Sequence, residues 1–223
     1  MNMELTKEVT EEEIKNAFFT MDCNKAPGSD GMTSLFFQKF WEIIKGDLVN
    51  AIQSFFHSSL MLKAINHTII SLIPKVPCPI NIKQYRPISL YNVVYKAITK
   101  IIVNRLKSIL KHCISINQSA FIPGMHIIDN IFISHEYLHF LKNKRHGKDG
   151  YMVVKLDMSK AYDIVEWDFL QSIMSKMGFC ESWINWIIYC IRTVSFSFNI
   201  NGDCKEYITS QKGIGQGDPL SPY

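Results

Sequence analysis

Asp157 directly follows a β-branched, apolar run at residues 151–156 (YMVVKL). A carboxylate at the tip of a buried strand is costly unless a cation compensates it, and a hard divalent ion takes oxygen ligands. The same placement also suits the N-cap of a following helix, so residue type alone leaves both roles open. Lys75 and Arg86 flank a Pro- and Asn-rich turn, each on a strand-like segment. If those segments pair, a lysine point charge and an arginine fork project to one place, a combination that suits a triphosphate. Two exposed surface cations would look the same in sequence. The third site is Gly-rich, GIGQGDPLSP at 213–222. Its glycines let backbone approach a ligand closely, and Pro219 fits the first turn of a helix.

The elements that must hold these residues follow from local signals. Thr10 with Glu13 is a capping box, opening a helix to about residue 21 whose Ile14, Ala17, Phe18 and Met21 share one face. Residues 25–31 (KAPGSDG) break it. Amphipathic helices are expected over 33–45 and 47–58. A strand at 67–76, bounded by Pro74 and Pro77, can pair with 85–90. A long helix at 92–113 carries Lys96, Lys100, Arg105, Lys107 and Lys111. Another helix is expected at 128–141, a basic turn at 142–148, a buried strand at 151–156, and helices near 167–177 and 181–193. Asn201-Gly202 marks a hairpin over 196–207.

Charge is unevenly spread. The formal net charge is +4, but residues 51–150 hold 13 Lys and Arg against 3 Asp and Glu. Such a basic middle is the footprint of a phosphate-backbone contact surface, although a solvated basic face gives the same count. The composition, 47% hydrophobic and 20% charged, is that of an ordinary globular protein. No apolar run approaches the roughly 20 residues that span a bilayer. The acidic N-terminal stretch lacks the apolar core of a signal peptide, so an intracellular chain is expected. Six dispersed cysteines without a CxxC pair are read as reduced thiols rather than a zinc site.

Taken in order, the motifs resemble the reverse transcriptases of non-long-terminal-repeat (LINE-type) retrotransposons, in the form carried by plant elements. KLDMSKAYD at 155–163 with VEWDFL at 165–170 resembles their first catalytic motif, and 216–222 their QGDPLSP motif. IPK at 73–75 with YRPISL at 85–90, KAPGSDG at 25–31, and QSAFIPG at 118–124 with Asp129-Asn130 match further segments in the same order. The resemblance implies an α/β (α+β) fold: the fingers and partial palm of a right-hand polymerase. It divides the chain into an N-terminal helical extension at 1–66, fingers with the β-hairpin and long helices at 67–150, and a partial palm at 151–223.

By the same resemblance, Asp157 binds Mg²⁺ with help from the Met158 carbonyl. Lys75 and Arg86 clamp the nucleotide's phosphates, Tyr162 lies under the incoming sugar, and Gln216 and Gly217 line the pocket for the nascent pair. The implied partners are an RNA template, a DNA primer and dNTPs, with no membrane. The implied reaction is RNA-directed addition of dNTPs to a primer 3′-hydroxyl. Two ions roughly 3.5–4 Å apart need several carboxylates. The family's second catalytic motif, an aromatic-Ala-Asp-Asp turn, occurs nowhere in the sequence. The expectation is therefore a fragment truncated before that motif, inactive by itself, with a non-catalytic nucleic-acid-binding remnant or an element fragment without function as the alternative. Arginines usual in the family are replaced by Met125, Ile164 and Gly215, the pattern that drift in an unselected element copy would leave at nucleic-acid-facing or motif positions.

Overall fold

The computed structural model describes residues 1–115, 117–122, 124–147, 150–158 and 160–223, with backbone alone at 205 and 206. Pro123 of the QSAFIPG segment, Lys148 of the basic turn and Ser159 of the KLDMSKAYD run lie outside the described residues.

Four helices come first: α1 (Asn2–Leu5), α2 (Glu11–Phe19), α3 (Ser34–Lys39) and α4 (Trp41–Ser58). The Thr10 side chain accepts from the Glu13 amide at 3.2 Å, the cap its sequence predicts, and Ile14, Ala17 and Phe18 are buried on one face. The expected break near Gly46 is absent. Instead the chain bends at Phe40, and α4 runs on through Gly46 and Asp47. A mid-helix glycine costs about 1 kcal/mol. Burial of Trp41, Leu48, Ile52, Phe55 and Phe56 along one face outweighs that cost.

The strands are β1 (His67–Pro74) and β2 (Tyr85–Leu90), then β3 (Ser195–Ile200) and β4 (Asp203–Thr209). They form one sheet in the order β2-β1-β3-β4. β1 pairs antiparallel with β2 and parallel with β3, and β3 pairs antiparallel with β4. Asn201 and Gly202 both have positive φ, as a tight hairpin turn requires. The sheet thus joins the 67–90 hairpin, assigned to fingers from sequence, with the 196–207 hairpin assigned to palm.

Between the hairpins lie α5 (Val93–Cys113), α6 (Ile127–Asn143), α7 (Trp167–Lys176) and α8 (Glu181–Arg192). The inner faces of α5 and α8 share a contiguous core with α2 and α4, including Phe18, Ile52, Tyr95, Ile101 and Trp183. α6 has no buried residue. All six cysteines are free.

Residues 151–156 correct the sequence expectation, because they form no strand among the described residues. Met152 is 83% and Leu156 87% exposed. A strand exists through its ladder, and both sides of β1 and of β3 are already paired. High β-propensity alone does not make a strand: the segment pairs with neither outer strand, β2 or β4, and stays coil.

Candidate functional site

Two motifs distant in sequence are stitched together by backbone. The Gly213 amide donates to the Val165 carbonyl and the Ile214 amide to the Tyr162 carbonyl, both at 2.8 Å. Gly213 has φ +86, and a Cβ there would sit 3.0 Å from the carbonyl oxygens of both Tyr162 and Asp163, so the approach requires glycine. The indole of Trp167 donates to the Gly213 carbonyl at 2.7 Å. Further along, the Ser89 amide donates to the Gln216 carbonyl at 2.9 Å. This pairing covers the outer edge of β2, which the sheet leaves open.

The result is a cleft of about 980 Å³ in which Tyr162, Gln216 and Gly217 share walls with Lys25, Lys96, Lys100 and Lys107. Burial, and then the neighbouring Lys25, hold the Lys96 ammonium below its ordinary pKa, while Asp30 opposes the shift. Burial, Lys107 and Lys25 do the same to Lys100. Cations crowded until they disfavour their own charge gain from a polyanion. The wall carrying Lys25 is fixed by Asn92, the residue just before α5: its side-chain amide donates to the carbonyls of Ala64 and Ile65. Its Oδ1 accepts from the Ser29 hydroxyl and the Asp30 amide. A Cβ on Gly28 would run into the Asn92 backbone. The KAPGSDG loop is therefore docked on the helix that carries the other three lysines.

Lys75 and Arg86 do share a face. Arg86 is opposite Ile73, the Lys75 amide donates to the Gln84 carbonyl beyond the ladder, and residues two apart alternate to the same side. Arg86, Ile88 and Leu90 thus follow one another on that face, and Ile88 and Leu90 line the cleft. Both cations are exposed and neither lines the cleft itself; the Lys75 ammonium donates to the Lys83 carbonyl at 3.1 Å. Asp157 and Met158 lie in exposed coil. Among the described residues no group of three metal-ligating side chains occurs. The residues present supply one candidate carboxylate, which does not make a coordination sphere for a divalent ion. One member of the basic helix proves structural: Arg105 is 6% exposed and points into the core.

Residues 73–223 match the family described as reverse transcriptase (RNA-dependent DNA polymerase). The chain belongs to the reverse transcriptase family. It is 32% identical over 213 residues to the transposon TX1 uncharacterized 149 kDa protein of Xenopus laevis, covering 96% of this chain and 16% of that protein. It is 26% identical over 219 residues to the retrovirus-related Pol polyprotein from type-1 retrotransposable element R2 of Nasonia vitripennis, covering 98% of this chain and 20% of the polyprotein. With the corresponding polyprotein of element R2DM of Drosophila melanogaster it shares 24% identity over 218 residues, 96% of this chain and 19% of the polyprotein. This reverse transcriptase chain therefore spans a fifth or less of the length of these curated relatives. The match takes in β1 from Ile73 onwards and every residue from Lys75 to the Gly-rich motif singled out above.

One further residue of the cleft carries no role that the motif resemblance implies. Asp218, quoted only as a letter of the QGDPLSP motif, is 4% exposed. Its Oδ2 accepts from the Tyr95 hydroxyl at 2.6 Å and its Oδ1 from the Leu220 amide at 2.9 Å. Among the described residues no ion pair includes it. Burial pushes its carboxyl up to about 6, against the pull of those hydrogen bonds. The native state then takes up this proton at higher pH than the unfolded chain, whose carboxyl titrates near ~3.9. Stability from this group rises as pH falls through about 6 towards 4 and is lost again on return to neutrality. Urea unfolding of wild type and Asp218→Asn at pH 4.5 and pH 7 is the check. Relative to the variant, wild type should lose about 2 kcal/mol between the acid and the neutral condition. Parallel curves would show that the carboxyl keeps an ordinary pKa.

Proposed function

We propose that this chain forms the fingers and part of the palm of an RNA-directed DNA polymerase, and that its lysine-lined cleft holds template and the nascent pair. In the complete enzyme the activity is addition of dNTPs to a DNA primer 3′-hydroxyl. The carrying observation is that Tyr162 lines one cleft with Gln216 and Gly217, distant from it in sequence, and with four lysines. In this reading residues 1–66 are a helical extension, 67–150 the fingers and 151–223 a partial palm. Gln216, which lines the cleft, reads the pair at its base edge, and Gly217 (φ +109) lets backbone come close. The Tyr162 ring forms the floor under the sugar. Lys75 and Arg86, on one face of the β1–β2 hairpin, reach the phosphates from the cleft's rim. Asp157 with the Met158 carbonyl is the proposed Mg²⁺ position, but one carboxylate in coil holds no ion alone.

That last point favours a second reading for the isolated chain: nucleic-acid binding without catalysis. Primer extension on an RNA template with Mg²⁺ and dNTPs separates the two. No product is expected from the chain alone, and extension would overturn the non-catalytic reading. Binding tests the cleft itself. A fluorescein-labelled single-stranded RNA should bind with a salt-dependent affinity read by anisotropy. Replacing Lys96, Lys100 and Lys107 by alanine should flatten the slope of log K against log salt by about 2, at ~0.7 per lost phosphate contact. An unchanged slope would show that the polyanion passes elsewhere.

A further inference from the structure

The Gly-rich segment reaches the cleft along an unusual path. It follows the outer edge of β2, held by the Ser89 amide donating to the Gln216 carbonyl, and it carries a buried carboxylate that pairs with no cation among the described residues. Interior carboxylates without a counter-ion are costly, so the site must return something for Asp218. What it returns is geometric. Tyr95 is 1% exposed and stacked on Tyr91, with centroids 4.7 Å apart and rings 13° from parallel. Its hydroxyl is therefore fixed by the helical core, and Asp218 is the acceptor it meets. On the other side of the turn, the Ser221 hydroxyl donates to the Gly215 carbonyl at 2.6 Å and the Asp218 amide to the same carbonyl at 3.3 Å. Residues 215–221 thus close on themselves, and the contact from Tyr95 ties that closed turn to α5.

We propose that Asp218 is a positioning residue: with Tyr95 it forms a clamp that fixes Gln216 and Gly217 against the β2 edge and so sets one wall of the cleft. The proposal rests on the polymerase reading for what the wall contacts, but the clamp itself is a property of this chain. The groups facing the carboxyl are few. Tyr91 faces it from the link between β2 and α5, Tyr95 and Thr99 from the first two turns of α5, and Cys190 from α8. Burial and then the charge of Asp218 hold both tyrosine hydroxyls protonated and able to donate. The four cleft lysines lie outside this shell, so loosening the clamp leaves the polyanion contacts in place and disturbs the Gln216 wall alone.

Amide hydrogen exchange reads the clamp without any ligand. The Ser89, Gly213 and Ile214 amides report it, since each donates across the joints of the Gly-rich segment. Tyr95→Phe removes only the hydroxyl, and Asp218→Ala removes its acceptor. Both should lower protection at these three amides about 10-fold or more at pH 7, with Ile101 in mid-α5 unchanged. Asp218→Asn, which can still accept from the Leu220 amide and donate to the Tyr95 oxygen, should restore wild-type protection. Wild-type protection in both Tyr95→Phe and Asp218→Ala would overturn the clamp. So would loss spread equally to Ile101, which marks a general packing defect.

A second arm uses a fluorescein-labelled RNA·DNA hybrid. Tyr95→Phe should weaken its binding about 5-fold with an unchanged salt slope, whereas lysine replacement changes the slope. Equal affinities of Tyr95→Phe and wild type would overturn the wall's role. Failure of the wild type to bind the hybrid at low salt would overturn the polymerase reading of the cleft, with the exchange data still deciding the clamp.

Discussion

Arg105→Ala is expected to lower the unfolding free energy by about 3–5 kcal/mol, the usual result of removing one partner of a buried ion pair. The guanidinium meets both Glu13 carboxylate oxygens at 2.7 Å, a two-pronged contact between α5 and the first turn of α2. It also donates to the carbonyls of Leu5 and Lys7 at 2.9 and 2.8 Å, and to that of Glu8. One side chain therefore closes the chain between α1 and α2 onto the core. Alanine leaves the Glu13 charge and several carbonyls without their donor. Arg105→Met combined with Glu13→Leu removes both charges and should recover much of the loss. Urea titrations of wild type and both variants test this, and a deficit under 1 kcal/mol for Arg105→Ala would refute it. The slope of RNA affinity against salt should not change in the double variant, because Arg105 faces inward.

The second large effect is at Gly215. Met125, Ile164 and Gly215 all stand where the resembled family usually has arginine, yet the three sites differ physically. Met125 and Ile164 are 40% and 44% exposed, so arginine there should change stability by about 0.5 kcal/mol or less. Each should also steepen the salt dependence of RNA binding if it faces the polyanion. At Gly215 a Cβ would collide with the Tyr91 hydroxyl and press on the Ser89 side chain. Tyr91 is buried and stacked, so it cannot swing aside cheaply. Gly215→Arg should cost about 3 kcal/mol, the upper end for overpacking. Because the clash is with one ring, Tyr91→Leu in the same chain should relieve most of it. Thermal melts of the single and paired variants measure this, and a single variant as stable as wild type would show that the Tyr91–Gly215 contact is not tight.

Local chemistry was legible; partners were not. The Thr10 cap, the Asn201-Gly202 turn and the long helix beginning after Asn92 depend on neighbours a few residues away, and they form as their sequences predict. Residues 151–156 have the composition of a strand, but a strand is a relation to another strand, and composition cannot say whether an edge is free. Arg105 and Lys100 read identically in sequence, as cations on one helix; only the position of Glu13 on α2 decides which of them turns inward. The meeting of Tyr162 with Gln216 could be expected from motif resemblance, whereas the role of Asp218 could not, since nothing near it in sequence announces the tyrosine that receives it. Lys25 is similar: its place beside α5 follows from Asn92, 67 residues downstream.

The parallel pairing of β1 with β3 sets an order on assembly. His67 and Ser195 lie side by side yet 128 residues apart in the chain. At ribosomal speeds of ~5–20 residues per second, β1 waits roughly 6–25 s for its neighbour to be synthesised. Through that interval the helical layer of α2, α4 and α5 can consolidate, while the β1–β2 ribbon has one side bare. A nascent polypeptide of this design is most open to chaperone capture, or to mispairing with another copy, during those seconds, and slower translation would lengthen the exposure in proportion.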